Sequence, residues 1–152
     1  MGFQAPSLKG RALRLLSQRE HSRAELERKL AAHEDEPGAL AQALDELQAR
    51  GFIDEGRVVQ SVLHQRAARL GAARVRQELQ AKGIGAPAIA EALAGLQATE
   101  FERARQVWQR RFGGVLPRDA AERARQSRFL MARGFAGAVV ARVLRHDPDE
   151  DG

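Results

Sequence analysis

Apolar residues recur along this chain at the spacing of an α-helix. Leu40, Leu44 and Leu47 occupy positions i, i+4 and i+7. Ile89, Leu93 and Leu96 repeat that spacing. Such spacing places the side chains on one face of a helix that turns once every 3.6 residues. The pattern predicts nine helices, which cover 9–18, about 22–33, about 37–50, about 55–70, about 73–82, about 87–97, 100–112, about 118–133 and about 139–145.

Two of the predicted helices begin with capping residues. Ser22 and Glu25 stand three residues apart at the start of the second helix, which is the capping-box pattern. Thr99 precedes the seventh helix and is expected to cap it, because a threonine hydroxyl accepts a hydrogen bond from a free N–H of the first turn. The capping residues therefore support the helical interpretation independently of the apolar spacing.

Glycine residues mark the ends of several helices. Gly51 and Gly83 each follow a basic residue and precede an apolar one. This order is typical of a helix C-terminus, because glycine adopts the left-handed conformation without strain and the cation lies near the negative end of the helix dipole. Gly71 is predicted to form a tight corner between the fourth and fifth helices. Val75 and Leu79 follow that corner at helical spacing and are expected to face the core.

The chain contains an internal repeat. Five positions recur 51 residues apart, and the two copies are Leu79, Gly83, Ile84, Ile89, Leu93 and Leu130, Gly134, Phe135, Val140, Leu144. The apolar part of this frame also occurs 49 residues earlier, at Leu30, Leu40 and Leu44, where Glu34 stands in place of the glycine. A period near 50 with three helices per period is typical of a helical repeat array.

The repeat predicts an all-α fold, an elongated array of three tandem three-helix repeats. The predicted boundaries are 1–53, 54–98 and 99–146, followed by an acidic, disordered tail at 147–152. Each unit is expected to be too small to bury its apolar face alone, so that neighbouring units must stack.

Composition excludes several classes of protein. Cysteine is absent, which excludes disulfides and thiolate metal sites. Residues 1–18 lack the apolar core of a signal peptide, and no apolar run approaches 18 residues. We therefore expect a soluble, cytoplasmic protein without membrane contact.

Charge is distributed unevenly along the chain, whose net charge is +5. Residues 20–55 carry ten acids and four bases, whereas 57–82 carry six bases and one acid, and 101–134 carry nine bases and three acids. Residues 147–152 add four acids. Such segregation indicates a polyanion or an acidic protein surface as partner. The alternative is a set of solvated helix faces that bind nothing.

Basic residues on the fifth, seventh and eighth helices, and near the Gly71 corner, are the candidate binding residues. The residues predicted to cluster around the Gly71 corner are Arg66, Arg69, Arg74, Arg76 and Lys82. Those on the seventh and eighth helices are Arg103, Arg105, Arg110, Arg111, Arg125 and Arg128. Arg74 and Arg76 flank Val75 and are expected to project into solvent with Arg69. The arginine fork donates two parallel hydrogen bonds to phosphate or carboxylate. Because Trp108 and the phenylalanines fall at core spacing, any nucleic-acid contact is expected to involve the backbone, independent of sequence.

No constellation for catalysis or metal binding is present. The four histidines, at positions 21, 33, 64 and 146, are scattered, and no two have the spacing of metal ligands on one helix. The chain also lacks a phosphate-binding G-x-x-x-x-G-K-[ST] loop and a nucleophile elbow. We interpret the protein as a non-enzyme without metal or cofactor.

Several motifs, in their order and spacing, resemble the RecX family of regulators of the RecA recombinase. They are Ser22-Arg23-Ala24-Glu25-Leu26-Glu27-Arg28-Lys29-Leu30, Gly51-Phe52-Ile53-Asp54-Glu55, Arg74-Val75-Arg76-Gln77-Glu78-Leu79 with Lys82-Gly83-Ile84, and Arg133-Gly134-Phe135. The chain departs from the family at Val58 and Leu70, where the family usually has aromatic residues. The resemblance implies a regulator that lies on the RecA filament and inhibits filament extension, ATP hydrolysis and strand exchange.

Two functions of different classes remain open at this stage. The first is the protein–protein regulator of a RecA filament that the resemblance implies, acting as a monomer. The second is a helical module that binds the backbone of single- or double-stranded DNA weakly and without sequence preference. The basic faces fit both functions, and comparing binding to naked DNA with binding to RecA-coated DNA would separate them.

Overall fold

The computed structural model describes residues 5–145, and this part of the chain contains nine α-helices and no strand. The predicted acidic tail at 147–152 lies outside the described residues. One short 3-10 helix, Ala31–His33, follows the second α-helix. The helices are α1 Leu8–Gln18, α2 Arg23–Leu30, α3 Ala39–Ala49, α4 Glu55–Arg66, α5 Ala72–Ala81, α6 Ala86–Gln97, α7 Glu100–Phe112, α8 Ala120–Ala132 and α9 Gly137–Arg145. The all-α prediction is confirmed.

Each set of three consecutive helices encloses a hydrophobic core of its own. Repeat 1 (α1–α3) buries Leu26 and Leu44, repeat 2 (α4–α6) buries Val75 and Leu79, and repeat 3 (α7–α9) buries Leu130, all at 0% exposure. The main helix–helix contacts lie within each repeat. The expectation that neighbours must stack to bury these faces is therefore wrong, because three short helices suffice to surround each core.

The repeated frame occupies equivalent places in the three cores. Leu30, Leu79 and Leu130, near the ends of α2, α5 and α8, are 3%, 0% and 0% exposed. After α5 and α8, Gly83 and Gly134 adopt φ angles of 73° and 91°. This is the left-handed conformation predicted for Gly83, and it ends the second helix of repeats 2 and 3 in the same way.

Helix starts follow the capping chemistry of the sequence, with two differences. The predicted capping box is confirmed, since Ser22 Oγ accepts from the Glu25 N–H and Glu25 Oε1 accepts from the Ser22 N–H, both at 3.1 Å. Thr99 does not cap α7, because its hydroxyl donates to the Leu96 carbonyl instead. The helix predicted from about 118 begins at Ala120, where Asp119 accepts from the Glu122 N–H.

Within residues 5–145, no helix combines the length and apolar content that crossing a membrane requires.

Candidate binding surface and the joints between repeats

The joint between repeats 2 and 3 is a direct contact between two backbones. The Gly71 N–H donates to the Arg133 carbonyl at 2.7 Å, and the Ala73 N–H donates to the Gly134 carbonyl at 3.2 Å. A Cβ on Gly71 would lie 2.3 Å from the carbonyl carbon and oxygen of Gly134. Gly71 itself has a φ of −80°. Glycine is therefore required at position 71 because the backbones of the two repeats approach each other closely there. A left-handed turn is not the reason.

Two predicted binding arginines contribute to this joint. Arg74 is exposed, as expected, but its Nη1 donates to the Ala132 carbonyl at the end of α8, at 3.0 Å. Arg103 Nη1 donates to the carbonyls of Ala67 and Leu70, both at 2.8 Å, and so satisfies the end of α4. Burial lowers the pKa of Arg103, and the neighbouring Glu100 opposes this effect. Both arginines thus connect repeat 2 to repeat 3.

The joint between repeats 1 and 2 has the same placement but a different chemistry. Lys82 Nζ lies 3.2 Å from Glu25 Oε1, and Arg28 donates to the Ala81 carbonyl at 2.8 Å. A Cβ on Gly83 would lie 2.6 Å from the Cβ of Ala24. The two joints are built alike. The end of α5 meets the start of α2, and the end of α8 meets the start of α5. The joint between repeats 1 and 2 includes a partly buried ion pair, whereas the joint between repeats 2 and 3 includes hydrogen bonds between the two backbones.

Lys82 was predicted to cluster with the arginines around Gly71, and this placement is wrong. The two residues flank opposite ends of α5, whose ten residues span about 15 Å. The Lys82 side chain is only 18% exposed because it is paired with Glu25. The sequence pattern could not show this pairing, since 57 residues separate its partners.

Glu25 is the most strongly perturbed carboxyl group of the joints. Burial raises its pKa, but hydrogen bonds from Arg19, the Ser22 N–H and Lys82 outweigh burial and lower the pKa to about 2. His21, 1% exposed, lies beside it with Nδ1 3.0 Å from the Arg19 carbonyl and Nε2 3.3 Å from Lys29 Nζ. Burial lowers the pKa of His21. These contacts give His21 and Glu25 a role in holding the start of α2.

The close contact at Gly71 predicts a large effect of adding one methyl group. Gly71→Ala places a Cβ against the Gly134 backbone, which cannot move aside as a side chain can, so we expect a loss of about 1–3 kcal/mol in unfolding free energy. Urea denaturation measures this loss.

Gly95→Ala is the matched control, because a Cβ on Gly95, inside α6, meets no heavy atom of residues 5–145 within 4 Å. This variant should gain about 0.5–1 kcal/mol from the better helix propensity of alanine. Equal stability of the two variants would contradict the role given to Gly71.

The remaining candidate arginines differ in the contacts that they make. Arg66 pairs with Glu78 at 3.3 Å, and Arg105 lies 3.5 Å from Glu102. Four others are exposed, and within residues 5–145 their side chains make no hydrogen bond or ion pair. These four are Arg69, Arg76, Arg110 and Arg128. They keep their donors available for an external anion.

Arg111 and Arg125 lie against aromatic rings. The rings of Phe112 and Phe129 form an edge-to-face pair with centroids 5.4 Å apart. The guanidinium carbon of Arg111 is 5.6 Å and 5.5 Å from the two centroids, and that of Arg125 is 5.8 Å from Phe112. These groups and Val115 line an open groove of about 420 Å³ on repeat 3, hereafter the repeat 3 groove.

Sequence reasoning missed the repeat 3 groove, because it assigned every phenylalanine to the core. Phe112 and Phe129 do pack against the core of repeat 3, yet both are only half-buried. The sequence did contain a signal for this groove, because arginines stand next to Phe112 and again at positions 125 and 128. The pairing itself needs the tertiary structure, since 17 residues separate the rings.

The arrangement can bind anions. Within the described part of the chain, no group of three or more His, Asp or Glu residues could hold a metal ion. The exposed arginines of repeats 2 and 3 can donate to phosphate or carboxylate, and the joints connect the repeats that carry them.

Comparison with protein families supports the division into three units. Models of the first, second and third three-helix domains of RecX match residues 9–47, 54–93 and 98–144. The chain belongs to the RecX family. A regulatory protein RecX from Leptothrix cholodnii is 57% identical over 148 residues, covering 95% of this chain and 94% of its own. Another from Ralstonia nicotianae is 50% identical over 142 residues, covering 93% and 89%.

Solved structures of RecX proteins share the fold. A crystal structure of a regulatory protein RecX matches 91% of this chain and 72% of its own, with a TM-score of 0.77 and 21% identity. The structure of RecX from Lactobacillus salivarius matches 91% and 92%, with a TM-score of 0.72 and 18% identity. Three tandem three-helix units therefore characterise this chain and its RecX relatives.

Proposed function

We propose that this chain is a non-enzymatic regulator that binds the RecA recombinase or its nucleoprotein filament. Bound there, it inhibits filament extension, ATP hydrolysis and strand exchange. Membership of the RecX family carries the proposal, since the relatives at 57% and 50% identity are named regulatory proteins. The protein acts in the cytoplasm as a monomer and needs no cofactor.

The exposed arginines of repeat 2 support a contact surface near the joint with repeat 3. Arg69 precedes Gly71, and Arg76 lies on the first turns of α5; both are exposed. Arg74, between them, is held against the Ala132 carbonyl, so its removal would also disturb the joint. Arg69 and Arg76 therefore contact an acidic surface or the phosphate backbone of the filament, while Arg74 positions the repeats.

Arg69→Glu/Arg76→Glu tests this surface. The measurement is the ATPase rate of RecA on single-stranded DNA, with increasing amounts of wild type or variant. Each glutamate removes an attraction and adds a repulsion, so we expect half-inhibition to need at least about tenfold more variant, equivalent to about 1.4 kcal/mol. Thermal stability should change little, because exposed charge changes are usually worth under about 0.5 kcal/mol each.

Arg14→Glu/Arg50→Glu is the matched control, since it changes the net charge equally at exposed positions of repeat 1. It should inhibit RecA like wild type. If the repeat 2 variant inhibits equally well, Arg69 and Arg76 are not the contact. If wild type leaves the RecA ATPase rate unchanged at every concentration, the proposed inhibition itself is wrong.

The alternative function is a module that binds the nucleic-acid backbone without a filament partner. Two observations favour it. Arg110 and Arg128 have no hydrogen-bond or ion-pair partner among residues 5–145, and the buried Gln126 amide of the groove is not presented to bases. Gln126 accepts from Trp108 Nε1 at 2.9 Å and donates to the Val115 carbonyl at 3.1 Å. Binding would then be independent of sequence and would fall linearly in log affinity against log salt. Equal affinity for naked and RecA-coated DNA would favour this alternative.

A further inference from the structure

The repeat 3 groove holds guanidinium groups whose hydrogen-bonding capacity is unused. Arg111 and Arg125 make no hydrogen bond or ion pair within residues 5–145, although both lie within 6 Å of the Phe112 ring centroid. Arg133 adds a third guanidinium, 4.9 Å from the Phe129 centroid. Three cations thus surround one pair of aromatic rings.

Contact with the rings prepares these arginines to bind an anion. A cation over an aromatic ring is attracted by the negative face of the ring. The N–H donors lie in the guanidinium plane and remain directed away from that contact. The rings also restrict the side chains, so less rotamer entropy is lost when an anion binds.

The residues that line the groove favour a carboxylate-bearing peptide over nucleic-acid bases as the ligand. Its floor consists of the half-buried Phe112 and Phe129 rings and of Val115, which is 51% exposed. Glu122, the one acid among the described residues that line the groove, accepts from the Arg118 N–H at 3.0 Å. Among the described residues that line the groove, the one amide side chain is Gln126, which is 3% exposed and bonded to Trp108 and Val115, so it is not presented to a base edge.

The chain carries a carboxylate-rich segment directly after α9, a helix of the same repeat as the groove. Residues 147–152 contain four acids, Asp147, Asp149, Glu150 and Asp151. They follow α9, which packs on both α7 and α8, the helices that form the groove. The seven residues after Arg145 can span at most about 25 Å. The 13 residues of α7 span about 20 Å, so the fully extended segment is longer than this helix.

We propose that the repeat 3 groove is a binding site for carboxylate-rich peptide, and that its resident ligand is this chain's own segment 147–152. The connection through α9 gives the segment a local concentration in the millimolar range, which offsets the weakness of individual exposed ion pairs. The acids pair with Arg111 and Arg125, the two arginines that line the groove. The segment then competes with any external anion for the same arginines.

A paramagnetic label tests the contact in the 152-residue chain. Because cysteine is absent from the chain, Gly152→Cys provides a unique attachment site for a nitroxide. At low salt we expect strong loss of the amide NMR signals of Gly113 and Val115, which line the groove. The signals of Gly10 and Leu15, which line a basic groove on repeat 1, should keep their intensity. High salt should restore the signals of Gly113 and Val115, because it screens exposed charges.

Matched variants separate the groove from general attraction to a basic surface. Arg111→Gln/Arg125→Gln should abolish the signal loss, whereas Arg110→Gln/Arg128→Gln removes the same charge from outside the groove lining and should preserve it. Full intensity at Gly113 and Val115, equal loss at the repeat 1 groove, or equal effects of the two double variants would each overturn the proposal.

Binding in trans provides a second measurement. The probe is a synthetic peptide with the sequence of residues 147–152, added to wild type and to Asp147→Asn/Asp149→Asn/Glu150→Gln/Asp151→Asn. We expect the neutralised chain to bind the peptide at least about twofold more tightly, because its own segment no longer competes. Equal affinity of the two proteins would overturn the proposal. The RecA ATPase assay is independent of both measurements.

Discussion

Replacing Leu79 with alanine is expected to lower the free energy of unfolding by about 2–5 kcal/mol. Leu79 is 0% exposed in the core of repeat 2, where it packs with Val75 near the end of α5. Alanine removes three buried carbon atoms and leaves a cavity that the surrounding helices fill only in part. Denaturation by urea, followed by far-UV circular dichroism, measures the loss.

Gln80→Ala is the matched control for Leu79→Ala, because Gln80 is the exposed neighbour on the same helix. It should change stability by less than about 0.5 kcal/mol. Since each repeat has its own core, hydrogen exchange in Leu79→Ala should accelerate most in repeat 2. A loss as small as that of Gln80→Ala would show that Leu79 is not a core residue of the folded protein.

Acid is expected to destabilise repeat 1 and its joint with repeat 2. The pKa of Glu25 is about 2 in the folded protein, against an ordinary value of 4.5. A carboxyl group with a lowered folded-state pKa contributes stability above its unfolded pKa, and that contribution is lost as the pH falls toward the folded value. The loss therefore develops from about pH 4.5 to pH 2 and amounts to at most about 3–4 kcal/mol.

His21 adds to the acid effect with the same sign. Burial lowers its pKa from the ordinary value of 6.5, so the folded protein favours neutral histidine. Its contribution is complete above pH 6.5 and diminishes as the pH falls below that value. Stability measured by urea denaturation should consequently decline in two stages, the first from His21 and the second from Glu25.

Glu25→Gln isolates the second stage. Glutamine keeps the capping box but does not ionise, so the variant should be less stable at pH 7 and should lose less stability between pH 4.5 and pH 2. Glu27→Gln, an exposed neighbour paired with Arg23, is the control and should retain the wild-type pH dependence. Identical acid sensitivity of Glu25→Gln and wild type would assign the transition to other groups.

The sequence by itself determined the helices and the repeat. Apolar spacing along a helix and the chemistry of helix ends depend on residues within about four positions of one another, so the local pattern contains them. Gly83 ends its helix in the left-handed conformation, Ser22 and Glu25 form the capping box, and Val75 and Leu79 are buried, all as predicted.

Only the tertiary structure decided what the residues between the cores do. Gly71 contacts Gly134, Lys82 pairs with Glu25, and both contacts join positions more than 50 residues apart in the chain. A basic residue has the same sequence signature whether it holds a neighbouring repeat or faces solvent. Burial and partner geometry distinguish the two, and they arise only when the repeats meet. For this reason the sequence identified the candidate arginines. It could not predict which of them lie in a joint, which line the groove and which are exposed.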